Sequence, residues 1–281
     1  MPHRKVLWIG GPPGAGKTTV ARLLARRHGL RWYNADAHTW EHRDRAIAAG
    51  HPQAIRWEAL SREERWSAPE AELLAMSLHH ERGRMILDDL HALPAAPLII
   101  AEGTPITPSV VGAGGRAVWL LPSAEVQRTR LTERDLPPGP LTLYRSLVGE
   151  IGAQVAEYGA RKLVVDGHDS VTETAGAVEK LFAEALAAGP VAVTARERGG
   201  LLRYANRATV RQYEAFFARP WSHGDTRTTV LPFACECGRP DCEADVELSV
   251  ADFPPPPDDA LSPPLLAPGH RLSPASSAGP A

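Results

Sequence analysis

The chain has few of the features that mark membrane, disulfide-stapled or nucleic-acid-coating proteins. No apolar run approaches the roughly 20 residues that a bilayer crossing requires, so no membrane partner is expected. The first strand is expected within a few residues of Met1, with no targeting leader, and the expected location is cytoplasmic. A formal net charge of −2 over 281 residues excludes a protein built mainly to coat polyanions. Cysteine is scarce: the chain has 3, Cys235, Cys237 and Cys242, all in one short stretch. An odd, clustered set excludes a disulfide framework and leaves a metal site or unmetallated thiols. No internal repeat stands out. With 43% hydrophobic and 23% charged residues, the composition is that of an ordinary globular protein with material for one large or two modest domains.

What is present is concentrated near the start. The apolar run Val6-Leu7-Trp8-Ile9 leads into a stretch that fits G-x-x-x-x-G-K-[ST] with Gly11, Gly16, Lys17 and Thr18. Such a loop wraps a polyphosphate closely enough for backbone N–H groups to point inward, which bulkier side chains would obstruct. Gly11, Pro12, Pro13, Gly14, Ala15, Gly16, Lys17, Thr18 and Thr19 are therefore the expected ATP-binding residues. Lys17 is expected to bridge the β- and γ-phosphates, and the Thr18 hydroxyl to ligate Mg²⁺. Val20, Leu23 and Leu24 follow at helical spacing, so the motif sits between a strand and a helix, where its chemistry requires it.

From there to about residue 188, strand-like and helix-like segments alternate, the pattern of a parallel sheet covered by helices. Strands are expected near 30–33, 97–101, 116–121 and 162–166. Residues 37–93 read as almost wholly helical, with Ser67 capping a helix that presents Leu74, Leu78 and Met85 on one face. Ser123 caps another. The stretch 135–140, with three prolines and a glycine, is expected to be a loop, followed by an amphipathic helix with Tyr144, Val148, Ile151, Val155 and Tyr158 in register. Beyond 190 come a helix ended by Pro220, two short strands around the cysteines, and a Pro-rich stretch too poor in apolar residues to fold alone. The expected organisation is a nucleotide-binding domain at 1–189, a helix and cysteine knuckle at 190–253, and a disordered tail at 254–281.

Residues 4–188 resemble the P-loop small-molecule kinases, the group containing nucleoside monophosphate, shikimate and gluconate kinases. The resemblance is carried by GGPPGAGKTT after the first strand, an acid after the second, and a third strand ending in an acid. It implies a five-stranded parallel sheet in the order 2-3-1-4-5 flanked by helices, an α/β fold, with ATP and Mg²⁺ as cofactors. A small-molecule acceptor would sit near the end of the second strand, under a lid with arginines. The expected activity is ATP-dependent phosphoryl transfer to a hydroxyl or phosphate. The alternative is a nucleotide-dependent switch or ATPase whose cysteine knuckle binds a partner, nucleic acid included.

The resemblance assigns Asp36 to orienting or deprotonating the acceptor hydroxyl; because it stands before a helical stretch, a helix N-cap is the alternative. Glu102, closing its strand, would polarise a Mg²⁺-bound water or act as base, with Asp88-Asp89 after Met85-Ile86-Leu87 as competitor. Arg130 and Arg134, with Arg128, stand where the lid would be, and their planar donors suit phosphate oxygens; a solvated face paired with Glu125 and Glu133 is the alternative. His38 and His42 share a helical face and either touch substrate or are solvated. Trp40, Trp57 and Trp66 either pack or stack on a flat or sugar-like substrate.

The knuckle Cys235-Glu-Cys237-Gly-Arg-Pro-Asp-Cys242 offers three soft ligands around a glycine turn, and Zn²⁺ takes four. It resembles a unit found at the ends of diverse bacterial proteins and often followed by Pro-Gly-His, here Pro268-Gly269-His270. His270 is the first candidate for the fourth ligand and His223 the second; unmetallated thiols or a redox site remain the alternative. Arg203, Arg207 and Arg211 form a stripe that suggests nucleic acid, set against the acidic knuckle and the simpler possibility of internal pairing.

Overall fold

The computed structural model of the chain describes residues 6–259 and 262–272. Five parallel strands form its main sheet: β1 (Val6–Gly10), β2 (Arg31–Asn34), β3 (Ile99–Glu102), β4 (Arg116–Pro122) and β5 (Lys162–Val165), in the order β2-β3-β1-β4-β5. This is the expected fold of a P-loop protein. β1 is buried along its whole length because both faces are covered. Leu7 and Ile9 point into a core with Leu24 of α1 (Lys17–His28) and with Val178 and Phe182 of α10 (Val171–Ala188). Val6 and Trp8 point the other way, toward Ile86 and Leu90 of α6 (Arg82–Ala92). The alternation of strand side chains thus sorts one run into two cores.

Between β2 and β3 lie a 3-10 turn (Ala35–His38) and the helices α2 (Thr39–Ala48), α3 (Pro52–Ala59), α4 (Arg62–Trp66), α5 (Glu70–Met76) and α6. The single helix expected to run from Ser67 through Met85 is divided. Leu78 adopts a left-handed conformation, φ 59°, between α5 and α6. Ser67 ends α4, its hydroxyl bonding back to the Glu63 carbonyl, while Ser61 makes the capping box with Glu64 at the start of that helix. The expected loop at 135–140 is also shorter. α9 (Pro138–Glu157) begins inside it, because prolines in a first turn need no N–H partner. α9 follows α7 (Pro108–Val111) and α8 (Ala124–Glu133), whose Ser123 cap accepts from the Val126 N–H. Its buried face carries Leu143, Leu147, Ile151 and Val155, so the leading residues lie one position before the Tyr144-Val148 pair of the sequence pattern, and Tyr158 is exposed.

The C-terminal part folds onto this layer. α11 (Ala195–Phe217) packs against β2, the 3-10 turn and α2. β6 (Val230–Ala234) and β7 (Asp245–Ser249) form an antiparallel pair. The Pro-rich stretch expected to be disordered is held in place where it is described. Arg207 donates to Pro254 O at 2.6 Å and Asp258 Oδ1 at 2.7 Å, and Arg203 to Pro263 O at 2.6 Å and Ser262 Oγ at 2.8 Å. These polar tethers add to apolar packing by Leu265 against Phe233 and Phe253 and by Ala267 beside the cysteines. Residues 260–261 and 273–281 of the expected tail lie outside the described residues.

One buried network fixes the helical layer to the sheet. Asp89 on α6 accepts from the Tyr33 hydroxyl of β2 at 2.6 Å and lies 2.7 Å from His42 Nε2 on α2. Arg82 Nε donates to His42 Nδ1 at 3.2 Å, which assigns the imidazole proton to Nε2 and makes His42 a donor to Asp89. Burial alone would raise the Asp89 carboxyl, but the bonds from His42, Tyr33 and Arg45 outweigh it and bring it down to about 2. A depressed carboxyl adds stability that is present above its unfolded value near ~3.9 and lost as pH falls through the folded value. Asp89→Asn is therefore expected to lower unfolding stability at neutral pH by about 2–4 kcal/mol, read from urea unfolding, with the difference from the parent chain shrinking between about pH 4 and pH 2.

Candidate functional site

The loop between β1 and α1 is shaped by its glycines. Gly14 and Gly16 hold φ of 82° and 86°, which L side chains rarely adopt. A Cβ on Gly11 would come 2.3 Å from the Leu120 carbonyl oxygen, so only glycine lets the loop pass over β4. Lys17 is buried and lies back along the loop, its Nζ donating to Pro12 O at 3.0 Å and reaching Thr104 Oγ1 at 3.5 Å. Burial lowers its ammonium, while Asp36 and Glu102 work against that.

Glu102 ends β3, level with Ile9 of β1 and Asn34 of β2, and is wholly buried. The Thr18 hydroxyl lies 3.2 Å from both of its carboxylate oxygens. Burial, reinforced by Asp36, pushes Glu102 up to about 8, with Lys17 and the Thr18 bond opposing. A hydroxyl and a carboxylate side by side at the loop's mouth are hard oxygen donors of the kind Mg²⁺ takes, so this pair fits the ion. The competing acids do not reach the site: Asp89 is engaged by Tyr33 and His42, and Asp88 lies on the same helix facing Arg45.

Asp36 stands in the 3-10 turn after β2, but it is not the cap. Asn34 is, its Oδ1 accepting from the N–H groups of Asp36 and Ala37 at 2.9 and 3.2 Å. The Asp36 carboxylate instead accepts from the Thr104 N–H at 3.1 Å and the Thr104 hydroxyl at 3.2 Å, with Arg82 Nη1 at 3.9 Å. Thr104 therefore links Lys17 to Asp36. Gly103 makes the approach possible, at φ 152°, since a Cβ there would lie 2.7 Å from that of Ala35.

Lys17, Thr18, Asp36 and Thr104 line a cavity of about 850 Å³, with Glu102 buried behind Thr18. At its phosphate-loop end lie residues 13–20, with Arg130 and Arg134. Arg130 Nη1 donates to Gly14 O at 2.8 Å, beside Gln127, which donates to Pro13 O at 3.0 Å. Arg134 lies over the Tyr144 ring at 5.6 Å. Arg128 is exposed and does not line the cavity. At the other end are Asp36, Thr104 and a wall of Trp40, Arg43, Trp57, Trp66, His79, Arg82 and Gln212. His38 and His42 form no part of it; both are buried, their rings stacked at 5.9 Å, which departs from both the substrate-touching and the solvated expectation.

Arg43 is the wall's unusual member. It is 3% exposed, sits 4.7 Å from the Trp57 ring centre and donates through Nη2 to Met76 O at 2.6 Å. Its Nε and Nη1 have no hydrogen-bond partner among the described residues, and neither has His79 Nε2. Burial lowers the Arg43 guanidinium to about 9 and the His79 imidazole to about 3, so at neutral pH the first stays charged and the second is neutral.

In the C-terminal part, Cys235, Cys237, Cys242 and His270 come together, with all four ligand atoms within 4.8 Å of one another; His223 is not among them. The arginine stripe is mostly spoken for. Arg203 pairs with Glu236 at 2.7 Å and Arg207 with Asp258 at 2.7 Å, while Arg211 is exposed. Among the described residues no helix is long and apolar enough to cross a membrane.

Solved structures similar to the chain include several small-molecule kinases. Shikimate kinase from Acinetobacter baumannii is 19% identical, covering 65% of this chain and 95% of its own, with a TM-score of 0.41. A gluconokinase from Sinorhizobium meliloti 1021 is 17% identical over 66% and 95%, TM-score 0.39, and deoxyadenosine kinase from M. mycoides 13% over 62% and 97%, TM-score 0.39. No family model and no curated protein matches the sequence.

Proposed function

We propose that the chain transfers the γ-phosphoryl group of ATP to a small molecule that carries an anionic group beside the accepting hydroxyl or phosphate. The observation that carries this reading is one cavity with a phosphate loop and Thr18, backed by the buried Glu102, at one end, and a carboxylate and a partly unsatisfied buried guanidinium at the other. Mg·ATP, when bound, supplies the phosphoryl group and a divalent charge at its oxygens. Lys17 and the loop N–H groups hold the phosphates, and Thr18 with Glu102 holds the metal. Asp36, kept in place by Thr104, orients the acceptor hydroxyl and takes its proton. Arg130 and Arg134 neutralise charge on the moving group. Arg43, a cation out of water whose Nε and Nη1 have no partner among the described residues, has its cost of burial offset by a charged hydrogen bond to an anion on the acceptor.

The test is ATP consumption by the purified chain against hydroxy acids, sugar phosphates, nucleosides and uncharged sugars. Stimulation is expected from acids or phosphates. Arg43→Met is expected to raise the KM for that acceptor by about 10²-fold while leaving the KM for ATP within a few-fold, since a charged hydrogen-bonded pair accounts for about 2–5 kcal/mol. Stimulation by uncharged sugars alone would remove the anionic acceptor and leave the kinase. Stimulation by none of them, with a response only to protein or nucleic acid, would remove the kinase.

A further inference from the structure

We propose that Cys235, Cys237, Cys242 and His270 bind one zinc ion, and that this ion clasps the C-terminal segment to both the phosphate-loop helix and the acceptor wall. The site is separate from the proposed phosphoryl transfer and stands whether or not that reading does. His270 Nδ1 is 3.4 Å from Cys235 Sγ and 3.6 Å from Cys242 Sγ. Zinc bonds of about 2.3 Å to sulfur and 2.0–2.1 Å to nitrogen, arranged tetrahedrally, put ligand atoms roughly 3.5–4 Å apart, so the set is already close to the geometry the ion demands. All three thiols are buried and free of disulfides. Gly238, at φ 73°, turns the chain between Cys237 and Cys242, where a Cβ would strike the Ala195 carbonyl oxygen at 2.1 Å. The Ala267 N–H points at Cys235 Sγ at 3.3 Å, the outer-shell bond that supports a metal-bound thiolate.

Three sulfurs and an imidazole select a soft ion over Mg²⁺ or Ca²⁺. Four protein ligands close the coordination shell, which makes the site structural and not catalytic. Two lines of contact leave it. The Cys242 carbonyl accepts from Arg26 Nη1 at 2.9 Å, on the helix that begins at Lys17. Glu236, between two of the ligands and 2% exposed, accepts from Arg203 at 2.7 Å and Asn206 at 2.9 Å on α11. Six residues further along that helix, Gln212 accepts from the Trp40 N–H at 3.1 Å and lines the cavity.

Elemental analysis of the full chain, untagged and purified without chelator, should give about one zinc per chain. Zinc below about a tenth of that, or iron in its place, overturns the proposal. Cys242→Ser and His270→Ala should each lower zinc retention at least tenfold; retention at the parent level in both overturns the ligand set. Because a cysteine variant can fail to fold, Co²⁺ exchanged into the parent chain provides an independent reading. A tetrahedral spectrum with thiolate charge transfer is expected, and an octahedral spectrum without it sinks the site. Chelation should lower the melting temperature by about 5 °C or more and open residues 219–272 to trypsin before 6–188. An unchanged melting temperature and cleavage order would refute the clasp.

Discussion

Lys17→Ala is expected to abolish ATP turnover, by about 10³-fold or more, and to weaken nucleotide binding, because Lys17 is the cation that the phosphate loop itself carries. Arg130 is hydrogen-bonded to the Gly14 carbonyl and Arg134 rests on Tyr144, so the charge they supply to the moving group adds to that of Lys17 and does not replace it. The fold should survive. The buried ammonium is held by Pro12 O and favoured by Asp36 and Glu102, and Lys17 itself lines the cavity, so the space a shorter side chain vacates is continuous with it. Titration with a fluorescent ATP analogue and a thermal melt separate the two effects: lost binding with an unchanged melt is the expected pair. Parent-level turnover would remove the loop from the site.

Asp36→Asn is expected to reduce phosphoryl transfer by about 10²–10⁴-fold, the range for a lost general base, with ATP affinity within a few-fold of the parent. Asparagine keeps the shape, and its Oδ1 can still accept from the Thr104 N–H, so the turn should hold. What it cannot do is accept a proton from the acceptor. Single-turnover measurement at saturating ATP and acceptor reads the chemical step. If that step is unchanged while acceptor KM rises, Asp36 is a positioning residue and the proton leaves by another route.

The parts of this site that could be read from the sequence are those whose geometry is local. A phosphate loop is a contiguous run, and the spacing of Gly11, Gly16, Lys17 and Thr18 contains its own shape. Glu102 was legible for a related reason: a short apolar run ending in an acid at a sheet's carboxyl edge lies where open α/β sheets bind ligands. The far wall of the cavity was not legible. Arg43, His79 and Arg82 come from the helical segment between β2 and β3, where a buried arginine and a solvated one share the same sequence neighbours. Only the turn at Leu78, invisible to helical periodicity, carries His79 and Arg82 into the cavity. Thr104 left a fainter signal in Glu102-Gly103-Thr104, a glycine at a strand end followed by a hydroxyl. Gln212 arrives from far along the chain and could not be anticipated from local pattern. The Pro-rich segment misled in the opposite direction, since composition registers apolar content but not the salt bridges of Arg203 and Arg207 to Asp258.

The packing of α11 against β2 bears on solubility as well as on the cavity. β2 is one edge of the sheet, and Arg31 on it lies 5.3 Å from the Tyr204 ring of α11. The opposite edge, β5, is four residues long, begins at an exposed lysine and leaves Val164 open to solvent. Sheet edges offer unpaired N–H and C=O groups on which strands from other molecules can add, and proteins blunt them by covering them or by keeping them short and charged. This chain does one at each end. A chain shortened before Ala195 would bare the first edge, so its failing would be aggregation at high concentration as much as a missing wall of the cavity.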